Sequence, residues 1–322
     1  MIKILSIDGG GIRGIIPAVV LAEIEKRTGR SIAHLFDLVA GTSTGGILAV
    51  GLTIPRNLPG PLYTAAQLIE LYAQEGSRIF SRSLLHRLAA CGNLRREKYT
   101  STGIERVLRE YFGDSRLRDA VTDLLITSYE TGRSFPFFFR SAIARERADY
   151  DFPAREVARA TSAAPTYFPP MKLPASTVEG HYTLIDGGVF ANNPAACALV
   201  EARTTYPEAG DFLVVSLGTG ELNISLPYQQ TKNWGVIGWA MPVLDVVFDG
   251  VSRTVDYQLR QLMPDASGKR YYRFQTTLDG QNHRMDNASA ENITALKGLG
   301  IDLIERESAT LDQLCDALTK KN

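Results

Sequence analysis

Apolar runs and glycine-rich corners alternate through the first two-thirds of the chain. Residues 2–7 alternate as a strand does and stop at Asp8-Gly9-Gly10-Gly11. Residues 14–27 place Ile16, Val19, Val20 and Ile24 on one helical face, with Glu23, Glu25 and Lys26 elsewhere. A short apolar run, 38–40, leads into Gly41-Thr42-Ser43-Thr44-Gly45 and then a helical-looking run, 46–50. Helices are predicted over 65–77 and over 102–112, the second closed by Gly113. Residues 123–129 and 135–141 are rich in β-branched and aromatic side chains and predict strands. A strand over 182–185 runs into Asp186-Gly187-Gly188. Asn193-Pro194 then fits an N-cap followed by proline at the first helical position, opening a helix to about residue 205. Residues 212–217 form a nearly all-apolar strand that ends in Gly218-Thr219-Gly220.

Continuous apolar strands alternating with helices imply an α/β fold, its sheet buried on both faces. The last hundred residues are less regular. Residues 219–234 read as loop, 243–262 as helix, 271–275 as strand and 290–320 as mainly helix. With no Pro/Ser-rich linker and no internal repeat, the expected organisation is an α/β core over 1–222. Residues 223–322 would then be an extension packed on that core rather than an independent domain.

Charge and composition narrow the function by exclusion. Lys plus Arg equals Asp plus Glu at 35 each, so no overall field favours a nucleic-acid polymer. Cys91, Cys197 and Cys315 stand far apart without a CxxC pairing, which suits a reducing compartment and argues against a zinc site. No HExxH and no EF-hand-like loop occurs, so no metal is expected. The N-terminal apolar stretch is too short for a signal peptide, and the nearest approach to a membrane span, 234–251, is broken by Pro242, Asp245 and Asp249. The expectation is a cytoplasmic protein.

The pentapeptide around Ser43 has the strand-turn-helix setting of a nucleophile elbow. A serine hydroxyl is a poor nucleophile near neutral pH and needs a base and a fixed geometry. Three glycine-rich corners follow predicted strands, at Asp8, Ser43 and Asp186. Loops at the carboxyl ends of strands converge on one crevice in an open α/β sheet, so the three could meet. A tri-glycine turn that opens a helix offers unencumbered N–H groups at a positive dipole end, which suits an oxyanion hole.

Two rival readings compete for the same residues. Gly9-x-Gly11-x-x-Gly14 formally satisfies the dinucleotide-binding fingerprint, but Asp37 sits before the second strand rather than after it. Asp8 would also face the pyrophosphate. No nicotinamide or flavin cofactor is therefore expected. A Ser-His-Asp triad would need a histidine, yet His181 lies five residues before Asp186, where strand alternation sets the two on opposite faces. His34, His86 and His283 have no motif context.

The block Asp8-Gly9-Gly10-Gly11-Ile12-Arg13-Gly14, with Gly41-Thr42-Ser43-Thr44-Gly45 and Asp186-Gly187-Gly188, resembles the three signature blocks of patatin-like phospholipases. Ala160-Thr161-Ser162-Ala163-Ala164-Pro165 with Tyr167-Phe168-Pro169, and Ser216-Leu217-Gly218-Thr219-Gly220, resemble further blocks in the same order. The resemblance covers about residues 4–220. It implies a three-layer sandwich with a mainly parallel sheet between helices, and a Ser-Asp dyad acyl hydrolase acting on glycerophospholipids. Ser43 would be the nucleophile and Asp186 the base. Gly9, Gly10 and Gly11 with Arg13 would form the oxyanion hole, joined by the N–H of Thr44. Gly14, Gly41, Gly45, Gly187 and Gly188 would be motif glycines. The compact chain is also similar to bacterial members that a cyclic oligonucleotide switches on in antiphage defence, so a cyclic-nucleotide activator is a further expected partner. A non-catalytic storage or binding protein on the same fold is the alternative of a different class.

Two surface readings complete the sequence. Arg78, Arg82, Arg87, Arg95, Arg96 and Lys98, interleaved with Ile79, Phe80, Leu84, Leu85, Leu88 and Leu94, make a basic amphipathic stretch that could rest on anionic headgroups at the inner face of a membrane. It reads equally as a solvated helix face. Trp234, Ile237, Trp239, Met241, Val243 and Leu244 read as core in preference to an acyl-pocket wall or interfacial lid.

Overall fold

The strands in chain order are β1 (Ile2–Ile7), β2 (Leu38–Thr42), β3 (Asp123–Glu130), β4 (Phe135–Arg140), β5 (Met171–Pro174), β6 (His181–Asp186), β7 (Phe212–Leu217), β8 (Glu221–Leu222), β9 (Tyr271–Phe274) and β10 (Thr277–Leu278). The helices are α1 (Ile15–Thr28), α2 (Thr44–Thr53), α3 (Ala65–Ile79), α4 (Thr102–Phe112), α5 (Ser141–Glu146), α6 (Ala154–Thr161), α7 (Gly188–Ala191), α8 (Ala195–Thr205), α9 (Tyr228–Thr231), α10 (Val236–Trp239), α11 (Pro242–Leu262), α12 (Ala290–Arg306) and α13 (Ser308–Thr319). The structure, a computed structural model, describes residues 1–55, 60–80, 97–175, 180–222, 226–239, 242–265, 268–278, 282 and 284–320.

Parallel pairings β3-β2-β1-β7-β9 form the body of one sheet, and β4, β6 and β5 extend it in antiparallel fashion. Side chains that alternate along each strand enter two separate cores. Leu5, Val39, Leu124 and Val215 join Ile16, Val20 and Ile24 of α1 on one face. Their neighbours Ile4, Leu38, Leu125 and Val214 join Ala195, Ala198, Leu199 and Ala202 of α8 on the other. That period-two division, with helices on both sides, is the expected three-layer α/β sandwich. The C-terminal region joins the sheet through β9, which pairs with β7 from Val214↔Tyr271 to Leu217↔Phe274.

One detail of register positions the site. β2 pairs with residues 123–127 of β3 and β6 with residues 128–130, while β4 runs along 125–130. A strand has only two edges, so β2 and β6 share the edge that β4 leaves free. β2 is parallel to β3 and β6 antiparallel, so their carboxyl ends meet head-on. Thr42 pairs with Thr127 and Asp186 with the next residue, Ser128. Ser43 and Asp186, far apart in sequence, therefore emerge side by side.

The strands and long helices fall where the periodicity predicts them, with four differences. The run 290–320 is two helices that break at Glu307. The expected loop 219–234 contains the two-residue strand β8 and the single turn α9. α5, α6 and β5 are short elements that the patterning does not single out. The helix expected to open at Pro194 is bounded one residue later, at Ala195, while Asn193 Oδ1 accepts the Ala195 N–H at 3.1 Å as an N-cap does. No helix among the described residues is long and apolar enough to cross a membrane.

Candidate active site

Ser43 links the last residue of β2 to the first of α2 with φ 55° and ψ −121°. For a residue with a Cβ this is a sparsely populated region that costs about 1–3 kcal/mol and persists only when its surroundings hold it. They do so here. The Ser43 N–H donates to Thr161 Oγ1 at 2.8 Å, and the Ser43 carbonyl accepts the first helical bond from Ile47 at 3.0 Å. Two residues on, a Cβ at Gly45 would collide with the carbonyl oxygen of Ile7, so only glycine lets α2 start this close to the end of β1.

Asp186 closes β6 and is fully buried. Its carboxylate accepts the Ser43 hydroxyl, and its Oδ1 accepts the Gly188 N–H at 2.8 Å. Burial pushes its pKa up to about 7, and these two hydrogen bonds only partly oppose the shift. A carboxyl poised near neutrality and bonded to a serine on a strained turn has the chemistry to take up a proton there.

The glycine loop is tied down on every side. Asp8 N–H donates to Leu217 O at 3.0 Å, Thr219 Oγ1 donates to Gly9 O at 2.6 Å, and Ile12 N–H donates to Met285 O at 2.9 Å. Gly11 takes φ 60°, and a Cβ there would strike the Met285 carbonyl. Arg13 is buried, and its Nε donates to Gly10 O at 3.1 Å. Burial lowers its pKa to about 10, so the guanidinium stays charged at neutral pH, with Asp245 and Asp249 of α11 supporting the charge. Arg13 thus braces the loop through the Gly10 carbonyl.

Gly9 departs from expectation. Its N–H donates to the Asn192 carbonyl at 2.9 Å and is not available to a substrate oxygen. The N–H groups of Gly10 and Gly11 donate to no described residue, and that of Thr44 is one of the orphan donors at the start of α2. All three residues line a cavity with Ser43 and Asp186. The other motif glycines are contact points. A Cβ on Gly14 would meet Thr44, one on Gly41 the backbone of Gly45, and one on Gly187 the side chain of Thr127.

That cavity is narrow, about 50 Å³, and its remaining wall is apolar, with Ile47, Ile79, Phe80, Ile104, Phe168 and Phe248 prominent. The rings of Phe80, Tyr99 and Phe168 pack within 5.6–6.1 Å of one another behind it. No histidine among the described residues lines it. His181 is exposed at the far end of β6, and His34 bonds Ser31 at the amino-terminal side of the sheet. His86 and His283 lie outside the described residues.

Several residues that support the site went unpredicted. Arg273 of β9 donates to both oxygens of Asp8, at 3.0 and 2.7 Å, and to Ser216 Oγ at 2.8 Å. Burial opposes the Arg273 charge, but Asp8 beside it more than compensates and raises its pKa. Asn192 Nδ2 donates to Ser252 Oγ at 3.0 Å, which in turn reaches Asp8 Oδ2 at 3.5 Å. Tyr72 and Thr161 brace α2 and the elbow, the former through Thr44. The one hint of Arg273 in the sequence is a cation inside an otherwise aromatic strand, Tyr271-Tyr272-Arg273-Phe274.

The family profile described as patatin-like phospholipase matches residues 5–199, over half of the chain. Patatin-like protein 2 of Arabidopsis thaliana is 32% identical across 98% of this chain and 86% of its own length. The chain belongs to the patatin-like phospholipase family. Patatin-07 of Solanum tuberosum is 29% identical across 95% of this chain and 84% of its own. A third relative, probable inactive patatin-3-Kuras 1 of Solanum tuberosum, is 30% identical across 95% and 87%. The patatin-like family supports lipid acyl hydrolysis in general. A relative named as probably inactive means that activity in any one patatin-like chain must be argued from its own site. Arg273 lies beyond the matched residues.

The two surface readings fare differently. Of the basic stretch, only Arg78, Ile79, Phe80 and Lys98 fall among the described residues; 81–96 lie outside them. Arg78 pairs with Glu75 and Glu110, Lys98 pairs with Asp286, and Ile79 and Phe80 face the cavity. In the aromatic cluster, Trp239 is 38% and Val243 42% exposed, so these two are not core. They lie in α10 and at the start of α11. Trp234 packs edge-on against Trp239 at 5.3 Å, while Met241 and the Ile237 side chain are outside the described set.

Proposed function

We propose that this patatin-like protein is a serine acyl hydrolase of the phospholipase A type, with Ser43 as nucleophile and Asp186 as its base. The observation that carries the reading is the hydrogen bond from a serine on a strained turn to a fully buried carboxylate that no cation among the described residues neutralises. Asp186 takes the Ser43 proton as Oγ attacks the ester carbonyl carbon. The oxyanion that forms would be met by the N–H groups of Gly10, Gly11 and Thr44, each such donor typically lowering the barrier by about 3–4 kcal/mol. Collapse breaks the ester C–O bond, and the proton on Asp186 passes to the leaving alkoxide. Water, deprotonated by Asp186, then attacks the acyl-serine, and the proton returns to Ser43 as the fatty acid leaves. Arg13 and the Asp8–Arg273 pair hold the donors in place. Residues 223–322 act as an extension of the core over 1–222, supplying Arg273 and Phe248 to the site.

A restrained form of this chemistry has its own support. A cavity of about 50 Å³ is far below the roughly 300–1,000 Å³ of usual ligand pockets, so an acyl chain enters only after side chains move. A trigger is therefore part of the proposal, a membrane surface or a cyclic oligonucleotide being the candidates. A fluorophosphonate probe should label the wild type and not Ser43→Ala. Fatty-acid release from phospholipid vesicles should follow the same pattern. No labelling of the wild type would refute the hydrolase reading, and equal release with and without cyclic oligonucleotides would refute nucleotide gating.

A further inference from the structure

A second cavity, which shares no lining residue with the one at Ser43, carries features that acyl hydrolysis does not use. It measures about 420 Å³ and is lined by Glu105 and Arg109 of α4, Glu156 and Arg159 of α6, and Lys172 of β5, with Arg155 beside them. Arg159 is its innermost cation. Its side chain is 3% exposed, and its Nη2 donates to Pro169 O at 2.7 Å. Nε lies 3.5 Å from the Glu105 carboxylate, which supports its charge, while Nη1 makes no hydrogen bond to a described residue. A buried guanidinium with one unmet nitrogen bears a desolvation cost that a nearby anion would offset in part.

The charge around it points the same way. Four cations face two carboxylates across the cavity. Arg155 is engaged by Asp114 and the Gly113 carbonyl, whereas Arg109 and Lys172 are exposed at the rim. A carboxylate offers a single charge on two oxygens. A phosphate group carries more charge on three or four oxygens, enough to meet Arg159 and the rim cations together.

We propose that this basin binds a phosphate group, supplied either by a soluble phosphate ester or by a lipid headgroup. Its place in the fold couples it to the elbow. Arg159 precedes by two residues Thr161, the acceptor of the Ser43 N–H, and its guanidinium stacks 5.8 Å from the Phe168 ring, which lines the cavity at Ser43. An occupant that fixes the end of α6 fixes the support of the nucleophile.

The test is calorimetric titration of the full chain with inorganic phosphate, a readout independent of turnover. Saturable one-site binding is expected, weakened about tenfold or more by Arg109→Gln combined with Lys172→Gln, and lost in Arg159→Gln. The rim pair keeps the test open if Arg159→Gln does not fold. No saturable binding at millimolar phosphate, or equal affinity in wild type and rim variant, would overturn the proposal. Competition in a Ser43→Ala background then identifies the source. Displacement of phosphate by phosphatidylglycerol vesicles assigns the basin to headgroups, and displacement by glycerol 3-phosphate alone assigns it to a soluble ester.

Discussion

The corners after β1 and β6 open with the same three residues, Asp-Gly-Gly, and their carboxylates are equally buried, at 1% exposure for Asp8 and 2% for Asp186. Their surroundings make them different groups. Asp8 faces a guanidinium that grips both its oxygens and opposes the burial that pushes its pKa up, and the pair holds the glycine loop in register with β7 and β9. Asp186 faces a serine hydroxyl and one backbone N–H, so its charge is resisted and its pKa sits at about 7. The motif puts a carboxylate at the carboxyl end of a strand. The partner that tertiary folding brings to it decides whether it braces the site or moves a proton.

Substitutions at the two corners should therefore fail in different ways. The largest effect is expected on activity at the β6 corner, where Asp186→Asn and Ser43→Ala should each lower kcat at least about 10³-fold with the fold retained. Comparing vesicle hydrolysis with circular dichroism checks both halves of that statement. Arg273→Gln should instead unfold the molecule by about 3–5 kcal/mol, because it strands a buried carboxylate. Denaturant midpoints would reveal it, and Asp8→Asn in the same chain should recover part of the loss.

A smaller effect separates the corners by pH. Asp186 keeps its proton longer folded than unfolded, so the folded state binds more protons between about pH 4 and pH 7. Stability from this group is full below the unfolded value and falls as pH rises to the folded one. Asp186→Asn should thus raise stability by up to about 4 kcal/mol at pH 8 and by nothing near pH 4. A gain of equal size at both pH values would contradict the burial argument. The smallest expected change is Thr161→Val, which leaves the Ser43 N–H without its acceptor and should cost about 1–3 kcal/mol by urea unfolding.

Much of this contrast was legible before the fold was known. Strands buried on both faces betray themselves as apolar runs, and the three glycine corners stand at their ends, so the α/β order and the grouping of Asp8, Ser43 and Asp186 could be read from local pattern. The rest depended on contacts that a local pattern does not encode. Arg273 meets Asp8 across 265 residues. Gly9, Gly10 and Gly11 look alike in sequence, and only the fold brings the Asn192 carbonyl to the first of them. α6 escapes notice because Arg155, Glu156 and Arg159 interrupt its short apolar face, although all three line the phosphate basin proposed above. Trp239 and Val243 mislead in the opposite sense, since an apolar cluster does not state whether a second layer covers it.

Whether Asp186 is the base is tested most directly by the pH dependence of Ser43 labelling with a soluble fluorophosphonate. In the wild type the second-order rate should climb about tenfold per pH unit at low pH and level off near pH 7, where half of Asp186 is ionised. Asp186→Asn should label slowly and without that inflection. A wild-type rate that ignores pH across this range, or an Asp186→Asn variant that keeps the wild-type profile, would contradict the dyad.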